Sequence, residues 1–250
     1  MKLSDRQLTR SCFVAYVAAL LSLAQLGCQP IATGNRLTVA SAGKISSLDP
    51  AQASTVNTIQ LLSALGDPLY SLDGNGELIP RLAVASPIFS PDGLTVSIPL
   101  RRDVLFHDGT RFDAEAMAFS LRRFLEIGTL SYVVGGRIRS VEVASDHQLV
   151  LRLSRPSTSL EGLLTSVNLT PVSPTAYEQH RDGFLHDRFV GTGPYRLTDF
   201  SEHQQRLEPF KQYWGEPPAN PGLDLITLSN STALYGALRS GEVDLLLSAS

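Results

Sequence analysis

Leu223-Asp224-Leu225-Ile226-Thr227-Leu228, Thr232-Ala233-Leu234-Tyr235-Gly236-Ala237-Leu238-Arg239 and Val243-Asp244-Leu245-Leu246-Leu247 follow one another near the end of this 250-residue chain. Their patterns read as strand, short helix, strand. Upstream, Gly193–Thr198 and Gln205–Glu208 read as further strands, and Arg36–Ser41 as one near the front with Leu37 and Val39 on one face. Between them lies a different mixture. Ser54–Leu65 has Ile59, Leu62 and Leu65 at helical spacing, with Ser54 or Thr55 as cap and Gly66 as stop. Leu69–Leu72 runs into the turn Asp73-Gly74-Asn75-Gly76, whose residues tolerate positive φ.

A second turn, Ser90-Pro91-Asp92-Gly93, precedes a strand alternating Val96, Ile98 and Leu100; Pro99 within that run predicts an edge position. Asp113 caps a helix with Met117, Leu121, Phe124 and Leu125 as its buried stripe, and Glu115 suits the positive end of its dipole. Ile138–Leu153 reads as a hairpin: Val141 and Val143, a turn at Asp146-His147, then Leu149, Leu151 and Leu153 alternating. Strands and helices mix irregularly, so the class is α/β or α+β with a mixed sheet.

Composition narrows the function. The chain is 43% hydrophobic and 18% charged, with mean hydropathy near zero, which excludes a disordered acidic tail, a collagen-like fibre and a polytopic membrane protein. With 19 Gly and 15 Pro, a plain helical bundle is a poor fit. A net charge of −3 and a pI near 5.9 give no electrostatic footprint for nucleic acid.

The first 35 residues differ from the rest. Lys2, Arg6 and Arg10 against Asp5 form a basic start, and Cys12–Ala24 is a short apolar run broken by Gln25, Gly27, Gln29 and Pro30. This is the pattern of a secretory signal over residues 1–27, the alternative being a retained anchor. Removing it leaves −5, that is −3 less +2. Both cysteines, Cys12 and Cys28, lie in or at the edge of this leader, so the remaining chain has no disulfide to form and relies on its core. Leu26-Gly27-Cys28 resembles a bacterial lipobox, in which Cys28 becomes the lipidated first residue; Gln25 stands where that motif usually has Leu. The bland alternative is an ordinary cysteine that follows the apolar run.

Catalytic signatures are missing from the sequence: it holds no G-x-S-x-G, H-E-x-x-H, C-x-x-C, P-loop or G-x-G-x-x-G. His180 and His186 are interrupted by Gly183 and read as surface histidines, not a metal pair. Asp103, Asp108 and Asp113 lack the alternate-position spacing of an EF-hand and read as a turn followed by a helix cap. Asn168-Leu169-Thr170 and Asn230-Ser231-Thr232 are formal glycosylation sequons, which lack meaning if the leader is bacterial. Tyr213-Trp214 fits either a stacking platform for a ligand or packing under the Pro217-Pro218 loop. The sequence does not look like an enzyme, and no cofactor or metal is expected; a secreted hydrolase is the rival from another class.

Six segments occur in a telling order: Ser47-Leu48-Asp49-Pro50, Asp67-Pro68-Leu69-Tyr70, Leu105-Phe106-His107-Asp108-Gly109-Thr110, Gly191-Thr192-Gly193-Pro194-Tyr195, Tyr213-Trp214-Gly215 and Ser240-Gly241-Glu242-Val243-Asp244. Together they resemble the extracytoplasmic solute-binding proteins of ABC transporters, family 5, the oligopeptide, dipeptide and nickel class. That resemblance implies a type II periplasmic-binding-protein fold of two lobes closing over a ligand in the cleft. Gly191 and Gly193 would allow a chain crossing between subdomains, with Pro194 fixing φ at the start of a strand. In the oligopeptide branch the ligand is held as an extended strand, so main-chain bonds supply affinity.

The resemblance also implies the site. A loop just before the S-L-D-P motif contributes to the cleft, and its counterpart here is Ser41-Ala42-Gly43-Lys44-Ile45. Ser41, Gly43, Lys44 and Ile45 are thereby the ligand-binding candidates. Gly43 would permit close backbone approach, and Lys44 would meet a carboxylate unless it is merely a surface lysine. The implied partners are a peptide or similar small solute, an ABC permease and, through a lipid anchor on Cys28, the membrane, with a monomer in the periplasm. Family members run to roughly twice this length. The implied division is residues 28–52 with 189–250 as an incomplete ligand-bearing first lobe, 53–188 as an appended subdomain, and the second lobe missing. On that expectation the chain is either a fragment of a receptor or a truncated product with impaired binding.

Overall fold

Among the described residues a mixed sheet and an antiparallel sheet carry most of the strands, beside a two-stranded hairpin, and each follows from its own hydrophobic pattern. The structure is a computed structural model and describes residues 36–45, 47–178, 185 and 188–247. The leader, Cys28, His180 and His186 lie outside the described residues.

Among the described residues the strands are β1 (Leu37–Ser41), β2 (Tyr70–Leu72), β3 (Leu78–Pro80), β4 (Ile88–Phe89), β5 (Thr95–Pro99), β6 (Ile138–Ser145), β7 (Gln148–Leu153), β8 (Tyr195–Phe200), β9 (Gln204–Pro209), β10 (Leu223–Thr227) and β11 (Leu245–Leu247). The helices are α1 (Val56–Leu65), α2 (Ala114–Ile127), α3 (Ser131–Gly135), α4 (Leu160–Leu163), α5 (Pro174–Tyr177) and α6 (Ser231–Ser240).

The five-stranded sheet has the order β11-β1-β10-β9-β8. Strand β1 pairs in parallel with β10 and β11, whereas β9 runs antiparallel to both β10 and β8. The strand–helix–strand pattern at the end of the sequence is therefore a crossover: β10 leads into α6, which passes over β1 and returns as β11. Parallel pairs need such a connection, because their ends lie too far apart for a tight turn. Alternation on β10 sends Leu223 and Leu225 to one core and Ile226 to the other. The row Leu246, Ala40, Ile226 lies in register across three strands and packs with Leu234 and Ala237 of α6. Asn230 caps α6 by accepting from the Ala233 amide at 2.9 Å, and Gly241 ends it in the left-handed region at φ 76°.

The four-stranded sheet, β4-β5-β7-β6, is antiparallel throughout. Val96, Ile98, Leu149, Leu151 and Leu153 point to one face, where α2 lays down Met117, Leu121 and Phe124. Fully burying each such side chain contributes roughly 1.5–3 kcal/mol. The Ala116 amide donates to Asp113 Oδ1 at 2.9 Å, so the predicted cap stands. The neighbouring hairpin β2–β3 turns at Asp73, whose Oδ1 accepts from the amides of Asn75 and Glu77.

One sequence expectation is overturned. Strand β5 is an inner strand, between β4 and β7, so Pro99 does not mark an edge. The reason is local. Pro99 is the last residue of β5, beyond the two residues that β4 pairs, and its carbonyl accepts from Val84 on that side. A missing N–H there breaks no ladder bond. A smaller shift affects α1: its buried face is Thr58, Leu61, Leu62 and Leu65, and Ile59 is half-buried at its margin. Thr55, rather than Ser54, is its cap.

Candidate ligand-binding site

Strands β1, β10 and β11 run parallel, so their carboxyl ends at Ser41, Thr227 and Leu247 share one edge of the sheet. In open α/β sheets, ligands settle in the crevice outside such carboxyl ends. The loop leaving β1 is tied to that edge: the Leu228 amide donates to the Ser41 carbonyl at 2.9 Å, and Ser41 Oγ donates to the Gly43 carbonyl at 3.3 Å. Three elements meet here. A Cβ built on Gly43 would fall 1.8 Å from Asn57 Nδ2 in the first turn of α1, so any side chain at 43 would displace that carboxamide. Thr227 donates its amide to the His203 carbonyl at 2.8 Å, which draws the β8–β9 turn to the same edge.

The four sequence candidates separate at this point. Ser41, Gly43 and Lys44 lie along the edge. Ile45, at 8% exposure, turns its side chain into the core with Leu48, Leu61 and Leu62. Lys44 Nζ lies 3.1 Å from Glu202 Oε2 at the tip of the β8–β9 turn, with side-chain exposures of 65% and 74%. The Lys44 ammonium, by hydrogen bond and by charge, holds the Glu202 carboxyl below its usual range, with help from His203. Sequence reasoning missed Glu202 and Asn57. Their nearness to Lys44 depends on strand register, which places residues 158 positions apart side by side.

The six quoted segments have another role. Asp49 is wholly buried; it caps the turn Pro50–Gln52 by accepting from the Ala51 amide at 2.9 Å and forms a two-pronged ion pair with Arg123 of α2. The Arg123 guanidinium also lies over the Tyr177 ring, 4.9 Å from its centroid. Asp67, 3% exposed, accepts from Arg81 at 2.8 Å, Tyr213 Oη at 3.2 Å and Trp214 Nε1 at 3.0 Å. Arg101 stacks on the Trp214 ring at 4.2 Å. Tyr213-Trp214 thus anchors its loop to Asp67 and the two arginines.

The crossing at Gly191–Tyr195 is equally close. The Gly193 amide donates to the Leu65 carbonyl at 3.0 Å, and a Cβ on Gly193 would fall 2.4 Å from the Leu65 carbonyl carbon. His107 donates its amide to the Gly191 carbonyl at 2.9 Å, and its Nε2 lies 3.1 Å from the Gly193 carbonyl. Its ring meets Phe189 and Phe210 edge-on, and burial pushes it down to about 4. Asp108 accepts from Thr110 and Ser173, while Asp113 caps α2, which is the turn-and-cap arrangement expected. Asp244 accepts from the Thr38 amide and donates its own amide to the Thr38 carbonyl. Asn168 is buried, its Nδ2 donating to the carbonyls of Pro50 and Ala53. Among the described residues no group of three or more His, Cys, Asp or Glu is arranged to hold a metal, and no helix is long and apolar enough to cross a membrane.

The chain as a whole resembles known proteins. The chain is 27% identical over 234 residues to the glutathione-binding protein GsiB of Salmonella paratyphi A, covering 91% of this chain and 45% of that one. It is similar in structure to an ABC transporter substrate-binding protein from Sinorhizobium meliloti, with TM-score 0.74 and 28% identity over 83% of this chain and 42% of that one. It is also similar to the ABC transporter-associated periplasmic binding protein DppA from Helicobacter pylori, in complex with peptide STSA, with TM-score 0.75 and 26% identity over 83% of this chain and 45% of that one. The fold is thus that of the type II periplasmic binding proteins, and the chain spans less than half the length of the curated relatives it matches. The family model described as bacterial extracellular solute-binding proteins, family 5 Middle, matches residues 77–250. The chain belongs to family 5 of the bacterial extracellular solute-binding proteins.

Proposed function

We propose that this chain is the solute-binding component of an ABC transporter, capturing peptides or similar small solutes in the periplasm and passing them to a permease. The observation that carries the reading is the edge itself: parallel strand ends, a tethered loop and an exposed ammonium at Lys44 sit together where open sheets of this kind bind ligands. A peptide suits this edge because main-chain pairing needs no particular side chain, and a free carboxylate suits Lys44. Two relatives lend support, one named for glutathione, itself a short peptide, and one solved with peptide STSA. The mechanism is binding followed by lobe closure, without bond chemistry.

In this reading residues 28–52 and 189–250 form the ligand-bearing lobe, and 53–188 the appended subdomain. Helix α1 sits at the seam, its Leu61, Leu62 and Leu65 packing with Leu207 of β9. Ser41, Gly43, Lys44 and Ile45 form the ligand loop, with Ile45 as its anchor in the core. Residues 1–27 are a signal peptide, Cys28 is lipidated and holds the protein at the membrane, and the receptor works as a monomer. Calorimetric titration of the purified protein with di-, tri- and tetrapeptides tests the assignment: heat of binding with at least one class is expected, and none with any of them removes the peptide reading. Intact mass of the protein from its own cells tests the anchor, since acylation at Cys28 adds lipid mass to a chain that starts there.

A further inference from the structure

Lys44 faces a carboxylate already. The β8–β9 turn is fixed at its base by the Ser201 amide donating to the Gln204 carbonyl at 2.8 Å, and at its flank by Thr227 donating to His203. Glu202 stands at the tip of that turn, 3.1 Å from the one ammonium that the ligand loop carries. Lys44 in turn is fixed between the Ser41–Gly43 bond and the buried Ile45. Both backbones are held by these bonds, and the pair itself is made by side chains alone.

The exposure of the pair decides what it can do. A buried pair is difficult to exchange, because the partner left behind keeps an uncompensated charge. An exposed pair is weak, since water screens it and two long side chains lose freedom to hold it. With side-chain exposures of 65% and 74%, Lys44 and Glu202 are of the second kind. A carboxylate brought in by a ligand can take Glu202's place.

We propose that Glu202 is a specificity-determining residue, an internal stand-in for the carboxylate of the solute that neutralises Lys44 while the site is empty and is displaced when a peptide with a free C-terminus binds. The inference rests on the reading of Ser41–Ile45 as a ligand loop. It has a consequence for selectivity. With Glu202 in place the Lys44 ammonium already has its counter-charge and attracts small anions less. A solute must therefore bring its carboxylate on a main chain that the strand ends also hold.

The test uses tetra-alanine as the free acid and as the C-terminal amide, titrated into the full chain and into its Glu202→Gln and Lys44→Met variants. Both substitutions are on the surface, so folding is checked by unchanged circular dichroism. Glu202→Gln is expected to tighten the free acid by about two- to fivefold, the range set by an exposed ion pair, and to leave the amide unmoved. Lys44→Met is expected to abolish the preference for the free acid. Unchanged or weaker binding of the free acid to Glu202→Gln, with Lys44→Met still losing the preference, overturns the stand-in role and leaves the ligand loop standing. If neither variant alters binding that the parent shows, the role of Lys44 falls as well. Binding of neither peptide by any of the three proteins overturns this inference together with the peptide reading.

Discussion

Asp49–Arg123 and Lys44–Glu202 are both carboxylate–cation pairs, and they work in opposite ways. The first is wholly desolvated at its acid and ties the segment before Pro50 to α2. The second stands in water at the carboxyl edge of the mixed sheet. Removing one partner of a buried pair strands a charge in low dielectric, whereas removing one partner of an exposed pair leaves a solvated ion. The molecule's most recognisable sequence segments are joints, and the edge proposed to take the ligand is built from residues with no distinctive pattern.

The largest effect should come from breaking the joint. Arg123→Leu leaves Asp49 buried and unpaired, and is expected to lower stability by about 3–5 kcal/mol in urea unfolding. Adding Asp49→Asn should recover part of that loss. A change below about 1 kcal/mol would mean that the two pairs do not differ in kind.

Acid should act on the same scaffold and spare the edge. The folded protein holds His107 at about 4 against 6.5 for the free side chain, mainly through burial, opposed by hydrogen bonds to the backbone of Gly193 and Phe189 and by Asp108, and reinforced by Arg196. A base with a lowered folded value is neutral when native and takes up its proton on unfolding. Its neutral form therefore supports the fold fully above pH 6.5, and that support is lost as pH falls from 6.5 to 4, by about 3 kcal/mol at the end of the window. His107→Gln, which can still donate toward the Gly193 carbonyl, should flatten this part of the stability profile. A parent profile that is already flat between pH 6.5 and 4 would remove His107 as the cause.

Next in size is Gly193→Ala. The new methyl meets the backbone of Leu65 and Gly66 at 2.4–2.5 Å, where no flexible side-chain end can yield. A loss of about 1–3 kcal/mol is expected from this overpacking, read as a lowered denaturation midpoint. The smallest effect is expected at the exposed pair: Lys44→Met should leave the melting temperature unchanged while altering peptide binding. A melting shift as large as that of Gly193→Ala would make Lys44 another joint.

Much of the scaffold was legible because it follows short-range rules. Alternation at Val96, Ile98 and Leu100, the hairpin at Asp146-His147, and Asp113 followed by an apolar helical stripe each need only neighbours in sequence. Pro99 misled because its tolerance depends on where β4 stops, which is a property of the sheet. Short elements such as β3, β4 and α4 carry too few residues to show a period. The partners of Asp49, 74 residues away on α2, and of Lys44, 158 residues away on a turn, arise from packing and register. Lys44 was visible as a candidate, and Glu202 was not.

In the proposed function the carboxyl edge of the mixed sheet receives the solute. Amide chemical shifts of the isotope-labelled protein, followed while tetra-alanine is added, test it most directly. Saturable shifts centred on Ser41–Lys44, Ser201–His203 and Thr227–Asn230 are expected. Shifts confined to the hollow between Arg81, Tyr195 and Tyr213 at the opposite end of the strands, or none at all, would contradict it.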